Sequence, residues 1–264
     1  MTPTHDDRIP KNRSFRLTFP GHNGNDLAAR LELPPDEPKL YAIFSHCFTC
    51  TKDIKAISRI SKRLAQLGIA VLRYDFSGLG QSKGNFTETS FSTNKQDLLA
   101  AAKFLSENYN PPQLLIGMSL GGAASLATAA QIDSVTGVVT LAAPSETPHL
   151  AETVTRFNPK VETEGEGKVT IGGTTYLMKK KLLDDLRSYD LGSDLVNLTQ
   201  KVLLFHSPLD QTLGYEHAQT LKEKIGTNAS LVTLHGADHL LTTDPSDIEF
   251  VAQTIFHWTS RFVS

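Results

Sequence analysis

The sequence predicts an α/β protein built on a mostly parallel sheet covered by helices on both faces. Three observations carry this expectation. Strand and helix patterns alternate along most of the chain. The strands are apolar nearly throughout, as strands buried on both faces must be. A chain of 264 residues with 39% hydrophobic and 20% charged content is also long enough for one sizeable core. On this reading residues 1–264 form one domain, with a small cap or lid inserted at about 145–198.

The elements follow in order. After a polar start, "SFRLTF" and "LAARLEL" are strand-forming runs separated by "PGHNGND", rich in turn formers, and read as an opening antiparallel hairpin. "LYAIFSH" is an apolar strand. In the next stretch, "DIKAISRISKRLAQLG", Ile54, Ile57, Ile60, Leu64 and Leu67 recur at three- and four-residue steps and Gly68 ends the run, which predicts an amphipathic helix. The strand "IAVLRYDF" comes next, then a helix from about Asn94 to Leu105, the strand "QLLIGMS", a small-residue helix "LGGAASLATAA" and the strand "VTGVVTLAAP". From Ser145 to about Leu198 the rhythm breaks. This polar segment holds "VETEGEGKVTIGGTTYL", read as a small hairpin, and the charged helix "KKKLLDDLRSY". The alternation resumes with "KVLLFHSPLD", "GYEHAQTLKEKIG", "ASLVTLHGADH" and "IEFVAQTIFHWTSRF". No internal repeat and no linker separates two domains.

Composition bounds the partners. A formal net charge of −2 lacks the basic excess that nucleic-acid binding needs. The start "MTPTHDDRIPKNRS" has no apolar stretch of the kind a signal peptide carries, and nowhere do eighteen apolar residues run together. The expectation is a cytoplasmic protein without membrane insertion, acting on a small molecule; nothing in the sequence sets its oligomeric state. Two cysteines make no disulfide framework, and a reducing compartment would keep them as thiols unless they cycle.

"GMSLGG", residues 117–122, fits G-x-S-x-G. The pattern is common by itself, but here it ends a strand and opens a helix, the strand-turn-helix setting of a nucleophile elbow. A serine on so sharp a turn is backbone-strained, and side chains two positions either side would collide, so Gly117 and Gly121 keep the space open. The Leu120 N–H then lies at a helix amino terminus, where it can donate to a developing oxyanion. A serine hydroxyl needs a base and an acid to orient that base. Asp210 follows the strand "KVLLF" in "HSPLD", and His239 follows "SLVTL" in "GADH"; the order Ser119, Asp210, His239 suits the elbow, and all three sit at carboxyl ends of parallel strands. Asp238 is a rival acid, but side chains of adjacent residues diverge, so Asp238 is expected to cap or pair locally. His206, His235 and His257 read as packed or surface residues.

"FSHCFTC" holds both cysteines in a C-x-x-C. Such a pair also sits between strand and helix in dithiol redox proteins. Against that reading, the chain keeps producing parallel strand-helix units, and no second C-x-x-C or C-x-x-H follows to complete a zinc site. The loop after "LYAIFSH", two strands before the elbow strand, is where a second oxyanion donor is expected, and the Phe48 N–H is the candidate. Cys47 then stands where glycine is usual. In "YDFSGLGQSKG", Asp75 is expected to tie down loop amides while Gly78 and Gly80 permit a tight path; neither dinucleotide nor Walker spacing is met.

"HCFTCTKD", "VLRYDFSGLGQSKG", "GMSLGG", "HSPLD" and "GADH", in this order, resemble the α/β-hydrolase superfamily over about Phe15 to Phe262. The first of them resembles the hydrolases often fused ahead of an OsmC-type domain, for which these 264 residues leave no room. The resemblance implies the α/β-hydrolase fold and a serine esterase of the carboxylesterase kind, using no cofactor and no metal. His239, oriented by Asp210, would take the Ser119 proton; Phe48 and Leu120 would receive the oxyanion; water would hydrolyse the acyl-enzyme. Activity is expected to fall below ~6.5, the unperturbed imidazole value. Small or medium carboxylic esters are the expected substrates. The alternatives are a thioesterase or amidase/peptidase on the same triad, or a non-catalytic, redox-linked accessory protein using Cys47 and Cys50.

Overall fold

The computed structural model describes residues 13–262; most of the polar start "MTPTHDDRIPKNRS" lies outside them. The opening hairpin is β1 (Arg13–Pro20) and β2 (Asp26–Leu33), paired antiparallel. β3 (Leu40–Ser45) leads into α1 (Lys55–Gln66), and β4 (Ile69–Tyr74) into α2 (Phe91–Asn108). β5 (Leu114–Met118) turns directly into α3 (Leu120–Thr128), followed by β6 (Gly137–Leu141). The polar segment contributes α4 (Pro148–Phe157), α5 (Lys160–Thr163), β7 (Glu166–Ile171), β8 (Thr174–Lys179), α6 (Lys180–Ser188) and α7 (Leu191–Val196). β9 (Lys201–His206), α8 (Glu216–Ile225), β10 (Ala229–Thr233) and α9 (Pro245–Thr259) complete the chain.

Eight strands form one sheet in the order β1-β2-β4-β3-β5-β6-β9-β10. From β4 to β10 every pairing is parallel, and only the β1–β2 hairpin and its junction with β4 are antiparallel. β3, β4, β5 and β6 are buried at every residue, which is why they read as continuous apolar runs. Ile57, Ile60 and Leu64 of α1 and Ile248, Val251 and Ile255 of α9 pack on one face. Leu98 and Ala101 of α2, Ala123 and Ala124 of α3 and Leu221 of α8 pack on the other.

α2 begins three residues before the expected Asn94. Ser90 accepts from the Thr93 N–H while Thr93 Oγ1 accepts from the Ser90 N–H, a capping box that uses threonine in place of the usual Glu or Gln. Between β6 and β9 the chain leaves the sheet, and β7 and β8 form a separate antiparallel hairpin as expected. Leu182, Leu183 and Leu186 of α6, Val169 of β7 and Met178 of β8 join the core on the α3 side.

Candidate active site

Ser119 caps the amino end of α3 with φ 52° and ψ −122°, a conformation disfavoured for any side-chain-bearing residue. The glycines around it are needed for contact rather than flexibility. A Cβ on Gly117 would run into the backbone of Gly121 and Gly122, and one on Gly121 into the carbonyl oxygens of Ser45 and His46. The second contact shows how closely the start of α3 abuts the end of β3. Four non-glycine residues among those described have left-handed φ: Thr49 (57°), Ser119 (52°), Ala142 (50°) and Leu241 (53°). All lie in the loops beyond carboxyl ends of β3, β5, β6 and β10, so the strain gathers along one edge of the sheet.

At the same edge the His239 ring Nδ1 lies 2.7 Å from Asp210 Oδ2. Asp210 follows β9, and its other oxygen, Oδ1, accepts from the N–H groups of Thr212 (2.8 Å) and Leu213 (2.9 Å). The acid's side chain is 1% exposed and that of His239 11%. Burial raises the Asp210 carboxyl, but hydrogen bonds from His206 and His239 outweigh it and hold the group well below the usual carboxylate range. His206, read from the sequence as merely packed, thus sits beside the acid: its Nε2 donates to the Leu213 carbonyl at 2.9 Å and stands 3.5 Å from Asp210 Oδ2. Asp238 turns to its own loop, accepting from the Thr242 hydroxyl at 2.6 Å and the Thr243 N–H at 3.0 Å, as its position beside His239 predicts.

The loop after β3 is anchored at both ends. His46 is fully buried; its Nε2 accepts from the Phe76 N–H at 3.1 Å, so Nδ1 carries the proton and donates to the Cys47 carbonyl at 2.8 Å. Burial lowers the His46 pKa. Downstream, the Lys52 N–H donates to Asp75 Oδ1 (2.7 Å) and its ammonium to Oδ2 (2.8 Å), while Oδ2 also accepts from the Gln81 N–H (2.9 Å). Asp75 therefore ties down loop amides as expected. Arg73, buried against Glu32, donates to the Lys52 carbonyl at 2.7 Å. The two cysteines do not remain as thiols: Cys47 and Cys50 are joined in a disulfide. The tight turn between them, with the Cys50 N–H donating to the Cys47 carbonyl, sets their Cα atoms 5.2 Å apart, within bonding reach. The Phe48 N–H belongs to this small ring.

Ser119, His239, Phe48 and both cysteines line one cavity of about 530 Å³. Its far wall comes from the segment between β6 and β9, through Leu150, Phe157, Ile171 and Tyr176. The α4 helix that brings Phe157 and His149 to the cavity was not legible in the sequence, although Pro148 at its start and the buried Ala151 and Val154 three residues apart are its signal. His149, which lines the cavity, also forms a cluster with Glu146 and His217 in which metal-ligand atoms lie within 4.8 Å of one another. Both imidazole Nδ1 atoms are already engaged, His149 with the Glu146 carbonyl (2.9 Å) and His217 with the Ser145 hydroxyl (3.0 Å).

A crystal structure described as the esterase domain from a Rhodothermus marinus protein shares 40% identity with this chain, over 96% of it and all of that domain, with a TM-score of 0.78. The chain belongs to the α/β-hydrolase superfamily. Residues 38–164 match the family model described as serine aminopeptidase, S33. Est1E from Butyrivibrio proteoclasticus, solved with ferulic acid bound, superposes with a TM-score of 0.80 at 21% identity, over 93% of this chain and 98% of Est1E, which speaks for the fold. Human palmitoyl-protein thioesterase ABHD10, mitochondrial, is 24% identical over 201 residues, 72% of this chain. The aligned region spans 63% of that relative's length. Among the described residues no helix of this α/β-hydrolase is long and apolar enough to cross a membrane.

Proposed function

We propose that this α/β-hydrolase is a serine esterase that cleaves carboxylic esters of small or medium acyl chains through an acyl-enzyme. The observation that carries the reading is the meeting of a backbone-strained Ser119 and an Asp210-held His239 on one largely apolar cavity. With Nδ1 turned to Asp210, the Nε2 of His239 is the base for the Ser119 proton. The hydroxyl oxygen attacks the ester carbonyl, the oxyanion is received by the N–H groups of Leu120 and Phe48, and the alcohol leaves with the proton from His239. Water then repeats the sequence on the acyl-serine. The wall formed by α4 and the β7–β8 hairpin shapes the acyl and leaving-group pockets. A cavity of about 530 Å³ falls within the usual range for small-molecule sites, about 300–1,000 Å³.

Hydrolysis of p-nitrophenyl esters from acetate to decanoate, by the wild type and by Ser119→Ala, tests this. Turnover that depends on chain length and disappears in the variant supports it; turnover retained by Ser119→Ala contradicts it. A thioester reading has one observation behind it, the thioesterase description of the human relative. Acyl-thioesters of the same chain lengths, run in parallel, rank the two leaving groups.

A further inference from the structure

The disulfide is a redox-active group on the cavity wall that the hydrolytic mechanism does not use. It is placed to affect that mechanism. Cys47 is 4% exposed, Cys50 is half-buried, and both line the cavity that holds Ser119 and His239. Cys50, the more exposed of the two residues, is the one that a thiol entering with substrate is expected to attack.

What the bond closes is equally specific. Sheet pairing of Ser45 and the approach of Gly121 fix the loop's beginning, and Arg73 and Asp75 fix its end at Lys52. Between them the loop is held by the disulfide, by the Cys47 carbonyl accepting from the Cys50 N–H (3.1 Å) and from His46 Nδ1 (2.8 Å), by the Thr49 hydroxyl donating to the Phe48 carbonyl (2.7 Å), by the Phe48 ring against Phe86, and by the Tyr176 hydroxyl donating to the Thr49 carbonyl at 3.0 Å; of these the disulfide is the covalent closure. Within that ring Thr49 has φ 57°, an outlier for a β-branched residue, of a kind that persists only where the surroundings over-determine it. Opening the ring lets Thr49 return toward its favoured region, and it also releases the Cys47–Phe48 peptide, a member of the same ring, whose N–H is that of Phe48.

We propose that Cys47–Cys50 is a thiol–disulfide exchange site for a small-molecule thiol entering the hydrolytic cavity, and that its oxidised form holds the Phe48 N–H in place for catalysis. The second half rests on the esterase reading. A thiolate attacks Cys50 Sγ, the Cys47–Cys50 bond breaks, and Cys47 leaves as a thiolate, giving a mixed disulfide on Cys50. A second molecule of the thiolate attacks the small-molecule sulfur of that mixed disulfide and releases Cys50. The balance is two thiols oxidised to one small-molecule disulfide, one protein disulfide reduced to two thiols, and the protons transferred to Cys47 and Cys50.

The test poises the native protein in mixtures of reduced and oxidised glutathione, counts alkylatable thiols by mass, and measures kcat and KM for a p-nitrophenyl ester on the same samples. The expected result is one transition from zero to two thiols, with kcat falling across it by at least about tenfold and KM nearly constant. For comparison, outright removal of an oxyanion donor costs about 10²–10³ in kcat. With oxidised glutathione, Cys47→Ser should take up one glutathione faster than Cys50→Ser, following exposure. Thiols that appear only after denaturation, or a kcat that ignores the thiol count, would overturn the proposal. A clean thiol transition in a protein that hydrolyses no ester in either state supports the exchange site and contradicts the esterase reading, so the two fail separately.

Discussion

Asp210 uses one carboxylate oxygen to hold its own loop and offers the other to His239. Asp238, one residue from the histidine, holds only its own loop, capping the turn to Thr243. Asp210→Asn should therefore lower kcat by about 10⁴, the scale seen when the acid of a Ser-His-Asp triad is neutralised. Asp238→Asn should leave kcat within a few-fold and lower the melting temperature, because it loses loop hydrogen bonds alone. Steady-state kinetics and thermal melts on the pair check the assignment, and comparable kcat losses in both would contradict it. The chain order Ser, Asp, His was enough to anticipate from sequence the Asp210–His239 pairing that the structure contains. The part played by His206 was not, because nothing in "LLFHSPLD" distinguishes a packed imidazole from one that stands beside the acid.

At the scale of elements, the elbow depends on contact between the start of α3 and the end of β3. Gly121→Ala would press a methyl group on the carbonyl oxygens of Ser45 and His46, backbone atoms that cannot swing away. A stability loss of about 1–3 kcal/mol, typical of overpacking, is expected together with loss of ester turnover, read by urea unfolding and kinetics. The wall opposite the elbow is more tolerant. Phe157 on α4 lines the cavity yet is 57% exposed, so Phe157→Ala should leave stability within about 0.5 kcal/mol. Its effect should appear as a KM raised about fivefold for the longer esters, the equivalent of about 1 kcal/mol of lost contact, with acetate unchanged. An equal effect on all chain lengths would remove α4 from the acyl pocket. The buried strands and α1 were legible because hydrophobic periodicity reports burial directly. α4 was not: its buried residues are few, and its packing against α6 is a tertiary fact. The disulfide was equally invisible, since C-x-x-C spacing is compatible with thiols, metal or a bond until the turn that closes it is known.

At the scale of the whole molecule, two buried groups and one half-buried histidine give stability the same dependence on pH. Burial lowers the His46 pKa; burial and the nearby charge of His149 lower that of His217; and hydrogen bonds from His206 and His239 lower that of Asp210 despite its burial. In each case the unfolded chain binds the proton more readily than the fold does. The two histidines therefore contribute stability that is present above about 6.5, the unperturbed imidazole value, and is lost as pH falls through their folded values; Asp210 adds a second loss below about 3.9. Urea midpoints should decline between pH 7.5 and 5.5 and again toward pH 3, and His217→Gln should flatten the first decline. A midpoint that rises on acidification between pH 7.5 and 5.5 would contradict this assignment.

The central claim is that Ser119 is a nucleophile activated by His239. The most direct measurement is the intact mass of the wild type, Ser119→Ala and His239→Ala after exposure to a fluorophosphonate, with the labelled peptide sequenced. A single adduct on Ser119 in the wild type, none in Ser119→Ala and much slower labelling in His239→Ala is the predicted result. An unlabelled wild type, or an adduct that persists in Ser119→Ala, would contradict it.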